Sequence, residues 1–423
     1  MISRVLSAEL KEHAGQRVTI AGWVHRRRRL KSVSFLLVRD RRGVSQVVVP
    51  PGTALPAEES VVRVTGLVRS GTQAPGGAEL TGPRIEVLAE PAQAPPFGLY
   101  RPVVPAELPV VLDHAPVALR HPLLRAPLEI SAASVAGFRA ALDRLGFTEI
   151  HTPKLVASAT ESGADVFSVD YFGRPAYLAQ SPQFFKQAMV GVFERVYEVG
   201  PVFRAEPHDT ARHLAQYTSL DAELGFVRDH RDVMAVLREA LAGMLEAVRL
   251  RAARAVEALD VALPEVPAEI PAVHFTEAKR LSGEDGEPDL SPAQERWLSR
   301  WALREHGSEF LFVTGYPMAK RPFYTHPDPA RPGHSNGFDL LFRGLELVTG
   351  GQRLHRYQDY LDALAARGEP VEPYEGYLKA FEHGMPPHGG FAIGLERWTA
   401  RLTGASNIRQ AALFPRDLHR LSP

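Results

Sequence analysis

VFRAEPHDTARHLAQYTSLDAELGF (Val202–Phe226) decides how this 423-residue chain is read. Its two ends are rich in strand-forming residues, and its middle, PHDTARH, is polar and charged. The stretch therefore reads as a strand, a loop and a returning strand. Residues two apart on a strand share a face, which sets Arg204 beside Glu206. A guanidinium there can clamp a phosphate, and a carboxylate can accept from an exocyclic amine. Taken alone, an Arg-x-Glu is as a rule a solvated ion pair. A second stretch, GGFAIGLERWTARL (Gly389–Leu402), reads as a glycine-rich strand entering a helix with Arg397 in its first turn. Close backbone approach at Gly394 and a fixed arginine suit a nucleotide phosphate.

Working outward, Leu128–Leu145 has helical periodicity that ends at Gly146, with a strand and Pro153 after it. A long Ala/Leu/Arg helix runs from about Asp232 to Leu259, and Pro264–Pro292 reads as a connector or small insertion. Extended segments at 310–315, 337–348 and 389–395 alternate with loops. Helices around an antiparallel sheet, an α+β domain, fit this order better than βαβ repeats. The first ninety residues differ. Five strand-like runs, Arg17–His25, Ser34–Asp40, Val44–Val49, Ser60–Arg69 and Pro83–Leu88, are separated by RRG, PPG and QAPGG turns. Five such strands match the small Greek-key barrel of the OB-fold, which binds single-stranded nucleic acid; an unrelated small barrel or sandwich also fits the pattern. The expected domains are a barrel over 1–95, a hinge over 96–122 and a larger domain over 123–423 with a small insertion at about 230–305.

Composition narrows the function classes. The formal net charge is zero, yet residues 1–90 hold fourteen Lys/Arg against eight Asp/Glu. A polyanion-binding surface is expected at that end. The absence of cysteine excludes disulfides, thiolate metal sites and a thiol nucleophile. No apolar run approaches the ~20 residues needed to cross a bilayer, and the N-terminus lacks the apolar core of a signal peptide. A cytoplasmic protein is the expectation.

GFTEIHTPKL (Gly146–Leu155), FRAE (Phe203–Glu206) and GLERW (Gly394–Trp398), in that order, resemble motifs 1, 2 and 3 of the class II aminoacyl-tRNA synthetases. LAQSPQFFKQ (Leu178–Gln187), GFDLLFRGLELVTGGQR (Gly337–Arg353), LFPRD (Leu413–Asp417) and the N-terminal barrel resemble the aspartyl/asparaginyl/lysyl subgroup. The likeness covers nearly the whole chain. The large domain that bacterial aspartyl enzymes carry between motifs 2 and 3 is missing, so the chain looks like the compact archaeal type. Neither a Walker A loop nor the class I signatures are present.

The resemblance implies ATP and L-aspartate as substrates, with magnesium as cofactor and catalysis by Arg204 and Arg397. Arg204, Glu206, Arg212, His213, Leu214, Glu346, Gly394 and Arg397 match ATP-binding positions. Asp339 and Glu346, on what reads as one strand, match the magnesium carboxylates. Lys186 and Arg353 match the residues that meet the aspartate side chain, Asp221 one that orders the pocket, and Glu161, Ser181 and Gln183 those around the substrate's ammonium and backbone. A buried Lys–Arg pair is expected to demand an anionic ligand, because a neutral amide would leave both cations under-compensated. The rivals are an asparaginyl enzyme, which as a rule lacks Lys186, and a silent paralogue acting as a nucleic-acid-binding module.

The family dimerises through motif 1, which places Pro153 at the interface of a homodimer. In the barrel, Arg26, Phe35 and Gln46 match anticodon-contacting positions. Family members strict for tRNA-Asp tend to carry Trp and Lys where this sequence is aligned with His25 and Pro83. Their replacement implies charging of tRNA-Asn as well as tRNA-Asp.

Overall fold

A computed structural model of the chain describes residues 4–71, 73–157, 165–207, 209–284 and 286–423. They form two compact units, 1–121 and 122–423.

In the first unit, β1 (Arg17–Arg29), β2 (Ser34–Asp40), β3 (Gly43–Val49), β4 (Val61–Ser70) and β5 (Ala78–Ala89) close into a barrel in the order β1-β2-β3-β5-β4. The period-two pattern explains the closure. Val18, Ile20, Leu36, Val38, Val47, Val49, Val62 and Val64 point inward and fill the interior. Two of the three irregularities in the ladder fall at residues singled out from the sequence. One lies in β1 between Val24 and Arg26, so His25 is the extra residue. The other lies between β4 and β5, where Pro83, lacking an N–H, falls in the gap between the pairs Thr65–Arg84 and Leu67–Thr81. The proline-rich stretch expected as a hinge carries two short helices, α1 (Leu108–Asp113) and α2 (Ala115–Ala118), which belong to this unit and bury Val111, Leu112 and Ala118.

The second unit opens with α3 (Pro122–Arg144), β6 (Thr148–Glu149), β7 (Leu155–Val156), β8 (Ser168–Tyr171), β9 (Arg174–Leu178) and α4 (Gln183–Phe193). The hairpin β10 (Arg195–Phe203) and β11 (Gln216–Gly225) follows, with α5 (His230–Arg251), α6 (Ala253–Leu259), β12 (Ala272–His274), α7 (Phe275–Ser282) and α8 (Pro292–His306) after it. The chain continues through β13 (Phe310–Thr314), β14 (Gly337–Phe342), β15 (Leu345–Gln352), α9 (Tyr357–Arg367), α10 (Glu375–Glu382), β16 (His388–Gly394) and α11 (Leu395–Thr403). Eight strands form the main sheet in the order β12-β13-β14-β15-β16-β11-β10-β6. The α+β reading holds with one correction: the sheet is mixed. The end pairs β12/β13 and β6/β10 are parallel, since each pair is joined by a long crossover rather than a hairpin.

Helices α3 and α5 cover one face of this sheet. They approach so closely that a Cβ on Gly137 would lie 2.3 Å from the Gly243 carbonyl oxygen. Glycine is required there by contact, not by backbone angle. The segment 230–305 differs from the small insertion expected from its sequence. Its first helix, α5, buries Val233, Leu237, Leu241, Met244 and Leu245 in the central core, and β12 extends the sheet.

Candidate active site

The loop after β10, the strands β11, β15 and β16, and the first turns of α4 and α11 surround a cavity of about 280 Å³. Ser181, Gln183, Lys186, Arg204, Glu206, Arg212, His213, Leu214, Glu346, Arg353, Gly394 and Arg397 all line it. Residues from four separate stretches of sequence thus meet in one cavity. Asp221 and Asp339 are buried behind the lining, and Glu161 lies outside the described residues.

One group is built on β11. Asp221 and Glu223 share a face of that strand, and the fully buried Lys186 reaches both, 2.8 Å from Asp221 Oδ1 and 3.4 Å from Glu223 Oε2. Its ammonium also donates to the Phe391 carbonyl. Arg353, from the loop after β15, donates through Nε to Glu223 Oε1 at 3.0 Å and through Nη2 to the Gly390 carbonyl. The neighbouring guanidinium and ammonium outweigh burial and hold the Glu223 carboxyl below its usual range. Two cations thus face two acids. That corrects the expectation that Lys186 and Arg353 stand under-compensated without an anionic ligand. Glu223 escaped the sequence reading, although its place two residues after Asp221 marks it. A Cβ on Gly390 would lie 2.1 Å from Glu223 Oε2, so the glycine needed for close packing is Gly390. At Gly394 a Cβ would meet nothing nearer than 3.7 Å, and the space there is open to a ligand.

The second group gathers around the ends of β10 and β16. β10 stops at Phe203, so Arg204 and Glu206 sit just beyond the strand rather than on it, with their charged ends 3.8 Å apart. The Arg204 guanidinium lies over the Tyr217 ring at 5.9 Å. Arg397, third residue of α11, donates to the Glu346 carbonyl at 3.4 Å. Before it, Glu396 accepts from the Thr218 N–H.

Asp339 and Glu346 do not share a strand, contrary to the reading of DLLFRGLE as one. Arg343 and Gly344, both with positive φ, turn DLLFRGLE into a hairpin, leaving Asp339 on β14 and Glu346 on β15. Burial first and the Asp339 charge second raise the Glu346 carboxyl above its usual range. Asp339 Oδ2 accepts from Arg321 at 3.1 Å, whereas its buried Oδ1 has no hydrogen-bond partner. Two mutually repelling carboxylates, one with an orphaned oxygen, fit a hard divalent cation. Among the described residues no cluster of three or more His, Asp or Glu is arranged to hold a metal alone.

In the barrel, the pairs Arg28–Phe35 and Arg26–Leu37 continue across β3 to Val48 and Gln46. Arg26, Phe35 and Gln46 therefore share the outer face, and Gln46 donates to Glu79 at 2.7 Å. His25 and Pro83 are not brought together. Pro83 lies near Gly66, whose β1 partner is Val18, whereas His25 is beyond the far end of that pairing at Trp23–Val61. His25 contacts Arg39 at 3.2 Å, and burial followed by the Arg39 charge pushes its ring down to about 4. Pro153 is exposed in the coil between β6 and β7.

Comparison with known proteins gives this geometry a family. The model of class II tRNA synthetases (D, K and N) matches residues 109–418, and that of the OB-fold nucleic acid binding domain matches residues 18–88. The aspartate–tRNA(Asp/Asn) ligase of Thermus thermophilus is 49% identical over 99% of this chain and 100% of the relative. Its counterpart in Deinococcus radiodurans is 47% identical over 100% and 99%. A crystal structure of asparaginyl-tRNA synthetase from Pyrococcus horikoshii with asparaginyl-adenylate matches at a TM-score of 0.92 and 31% identity, covering 100% of both chains. With the motif arginines meeting in one cavity and both units matched, the chain belongs to the class II aminoacyl-tRNA synthetases of the D, K and N group.

Proposed function

We propose that this chain is an aspartate–tRNA ligase that charges both tRNA-Asp and tRNA-Asn. The full-length likeness to relatives named for both tRNAs supports the reading, and the Lys186–Arg353 pair carries the choice of amino acid. With the charges in the pocket already balanced, preference for a carboxylate rests on donor geometry. Lys186 and Arg353 present only N–H groups; a carboxylate meets them with acceptors alone, whereas an amide brings its own N–H₂ against them. An asparaginyl enzyme shares the fold, so the fold does not separate the two.

No protein nucleophile is required. The aspartate α-carboxylate attacks the α-phosphorus of ATP and expels pyrophosphate, and the terminal ribose hydroxyl of tRNA then attacks the mixed anhydride. The rate comes from positioning and charge stabilisation. Arg204 holds the α-phosphate, Arg397 the γ-phosphate and Glu206 the adenine amine; Arg212, His213 and Leu214 complete the nucleotide site. Asp339 and Glu346 would hold magnesium, which when bound would supply positive charge to offset that on the phosphates. Ser181 and Gln183 face the substrate's ammonium side, a role the family resemblance also gives to Glu161. The barrel face with Arg26, Phe35 and Gln46 binds the anticodon by stacking and phosphate contact. His25 and Pro83 act there at separate places, not on one base. The protein works as a cytoplasmic homodimer with Pro153 at the interface. No helix among the described residues is long and apolar enough to cross a membrane.

ATP–pyrophosphate exchange is expected with aspartate and not with asparagine, followed by charging of purified tRNA-Asp and tRNA-Asn at comparable efficiency. Robust exchange with asparagine would overturn the amino-acid assignment. A preference for tRNA-Asp above roughly a hundredfold, about 2.7 kcal/mol, would overturn the dual charging.

A further inference from the structure

Behind the amino-acid pocket lies a polar network in which Gln187, Tyr360 and His388 are fully buried and Tyr377 nearly so. Its hydrogen-bond directions can be worked out from two fixed points, both backbone carbonyls that can only accept. The first is the Pro386 carbonyl, 2.9 Å from His388 Nδ1. Nδ1 must carry the proton, which leaves Nε2 of the neutral ring as an acceptor. Burial keeps that ring uncharged, pushing it down to about 4. Nε2 is 3.0 Å from Gln187 Nε2, so Gln187 turns its amide nitrogen toward His388.

The second fixed point is the Leu354 carbonyl, which accepts from the Tyr360 hydroxyl at 2.7 Å. With its proton used, that hydroxyl accepts from Gln187 Nε2 at 3.2 Å. Both ends orient Gln187 the same way. Its Oε1 then faces Gln183 Nε2 at 2.9 Å and the Tyr377 hydroxyl at 3.0 Å. Gln183 lines the cavity. Its N–H₂ being turned inward, the carbonyl oxygen is the atom it offers to a ligand.

We propose that His388, acting through Gln187, is a positioning residue that fixes the polarity of Gln183, so that an acceptor meets the α-ammonium of the substrate. This rests on the reading of the cavity as an aspartate site. Neither His388 nor Gln187 touches the substrate; the chain of two amides carries to the pocket wall the direction that the His388 lone pair sets together with the Tyr360 hydroxyl. An inverted Gln183 would present N–H₂ to a cation, exchanging an attraction for a repulsion.

The test compares the parent enzyme with His388→Leu and with His388→Leu/Gln187→Glu, using aspartate-dependent ATP–pyrophosphate exchange and inhibition by L-malate, which carries a hydroxyl in place of the ammonium. His388→Leu is expected to raise the KM for aspartate about tenfold, with the KM for ATP and the malate Ki unchanged, because a hydroxyl can donate or accept. In the double variant the carboxylate at position 187 only accepts, so Gln183 keeps its orientation and the aspartate KM returns to near the parental value. A parental KM in His388→Leu overturns the proposal. So does a parallel weakening of aspartate and malate, which would mean general damage to the pocket, or a double variant without rescue. A parent enzyme that fails to exchange with aspartate overturns the underlying reading instead, before any variant is measured.

Discussion

At one end of the cavity Lys186 and Arg353 are matched by Asp221 and Glu223 at 2.8 to 3.4 Å, and the four side chains are almost wholly buried. At the other, Arg204, Arg212 and Arg397 line the wall with Glu206 and Glu346, and Arg401 follows one turn after Arg397. There the charges do not settle. Burial first, and then the charge of Arg212, lower the Arg401 guanidinium below its usual range. Burial and then the charge of Glu346 push the Glu295 carboxyl up to about 7. The end proposed to hold the amino acid is electrostatically complete before any ligand arrives, whereas the end proposed to hold the phosphates crowds like charges that a polyanion and a cation would relieve. Breaking the first should therefore cost folding stability, and breaking the second should cost rate.

The largest effect is expected at Lys186. Lys186→Met leaves Asp221 and Glu223 facing Arg353 alone in a buried site, and stranding buried charge costs about 3–5 kcal/mol. Urea denaturation should show that loss. Lys186→Met/Asp221→Asn removes one charge of each sign and should recover most of it. If the single and double variants are equally unstable, the quartet is not a unit and the comparison fails at its first end.

The same contrast marks how far the sequence could be read. Arg204 and Arg397 were legible because FRAE and GLERW, in that order, resemble motifs 2 and 3 of the family, whereas either stretch alone reads as a solvated ion pair or an ordinary glycine turn. The barrel was legible because Val18, Ile20, Leu36 and Val38 keep a strict alternation. Lys186 and Arg353 were found, but their neutralisation was not. It depends on α4 and the loop after β15 meeting over β11, and that meeting is not written in any local pattern. Arg321 lies in a coil segment remote from every motif and shows its purpose only through Asp339. The Arg343–Gly344 turn carried a signal, since glycine between two apolar runs marks a hairpin. The direction of the His388 network is a three-dimensional property altogether.

At the phosphate end the expected cost is kinetic. The hydrogen bond given by the Arg397 side chain goes to the Glu346 carbonyl at 3.4 Å, a long contact that contributes little to folding. Arg397→Ala should slow adenylate formation roughly 10²–10³-fold, the scale for losing one preorganised donor at a developing charge. Urea stability should stay within about 0.5 kcal/mol of the parent. Near-parental exchange in this variant would mean that the motif arginine is not at the reacting phosphates. A large loss of stability would erase the distinction between the two ends.

The smallest effect sharpens the comparison where the second end meets the sheet. Glu396 precedes Arg397, borders the cavity, and accepts the Thr218 N–H with both oxygens at 3.0 and 3.1 Å. Burial outweighs those hydrogen bonds and pushes its carboxyl up to about 7 from an ordinary 4.5. The folded protein therefore holds this proton more tightly than the unfolded chain does. Stability linked to Glu396 is fully present below pH 4.5 and is lost as pH rises through 7. Glu396→Gln keeps an acceptor for Thr218 and removes the titration. Between pH 5 and pH 8 the parent should lose about 2 kcal/mol of urea stability relative to the variant. Equal pH dependence in the two proteins would show that Glu396 is already ionised in the fold. Arg397 would then have a permanent negative neighbour, and the phosphate end would be closer to balance than the crowding of its arginines indicates.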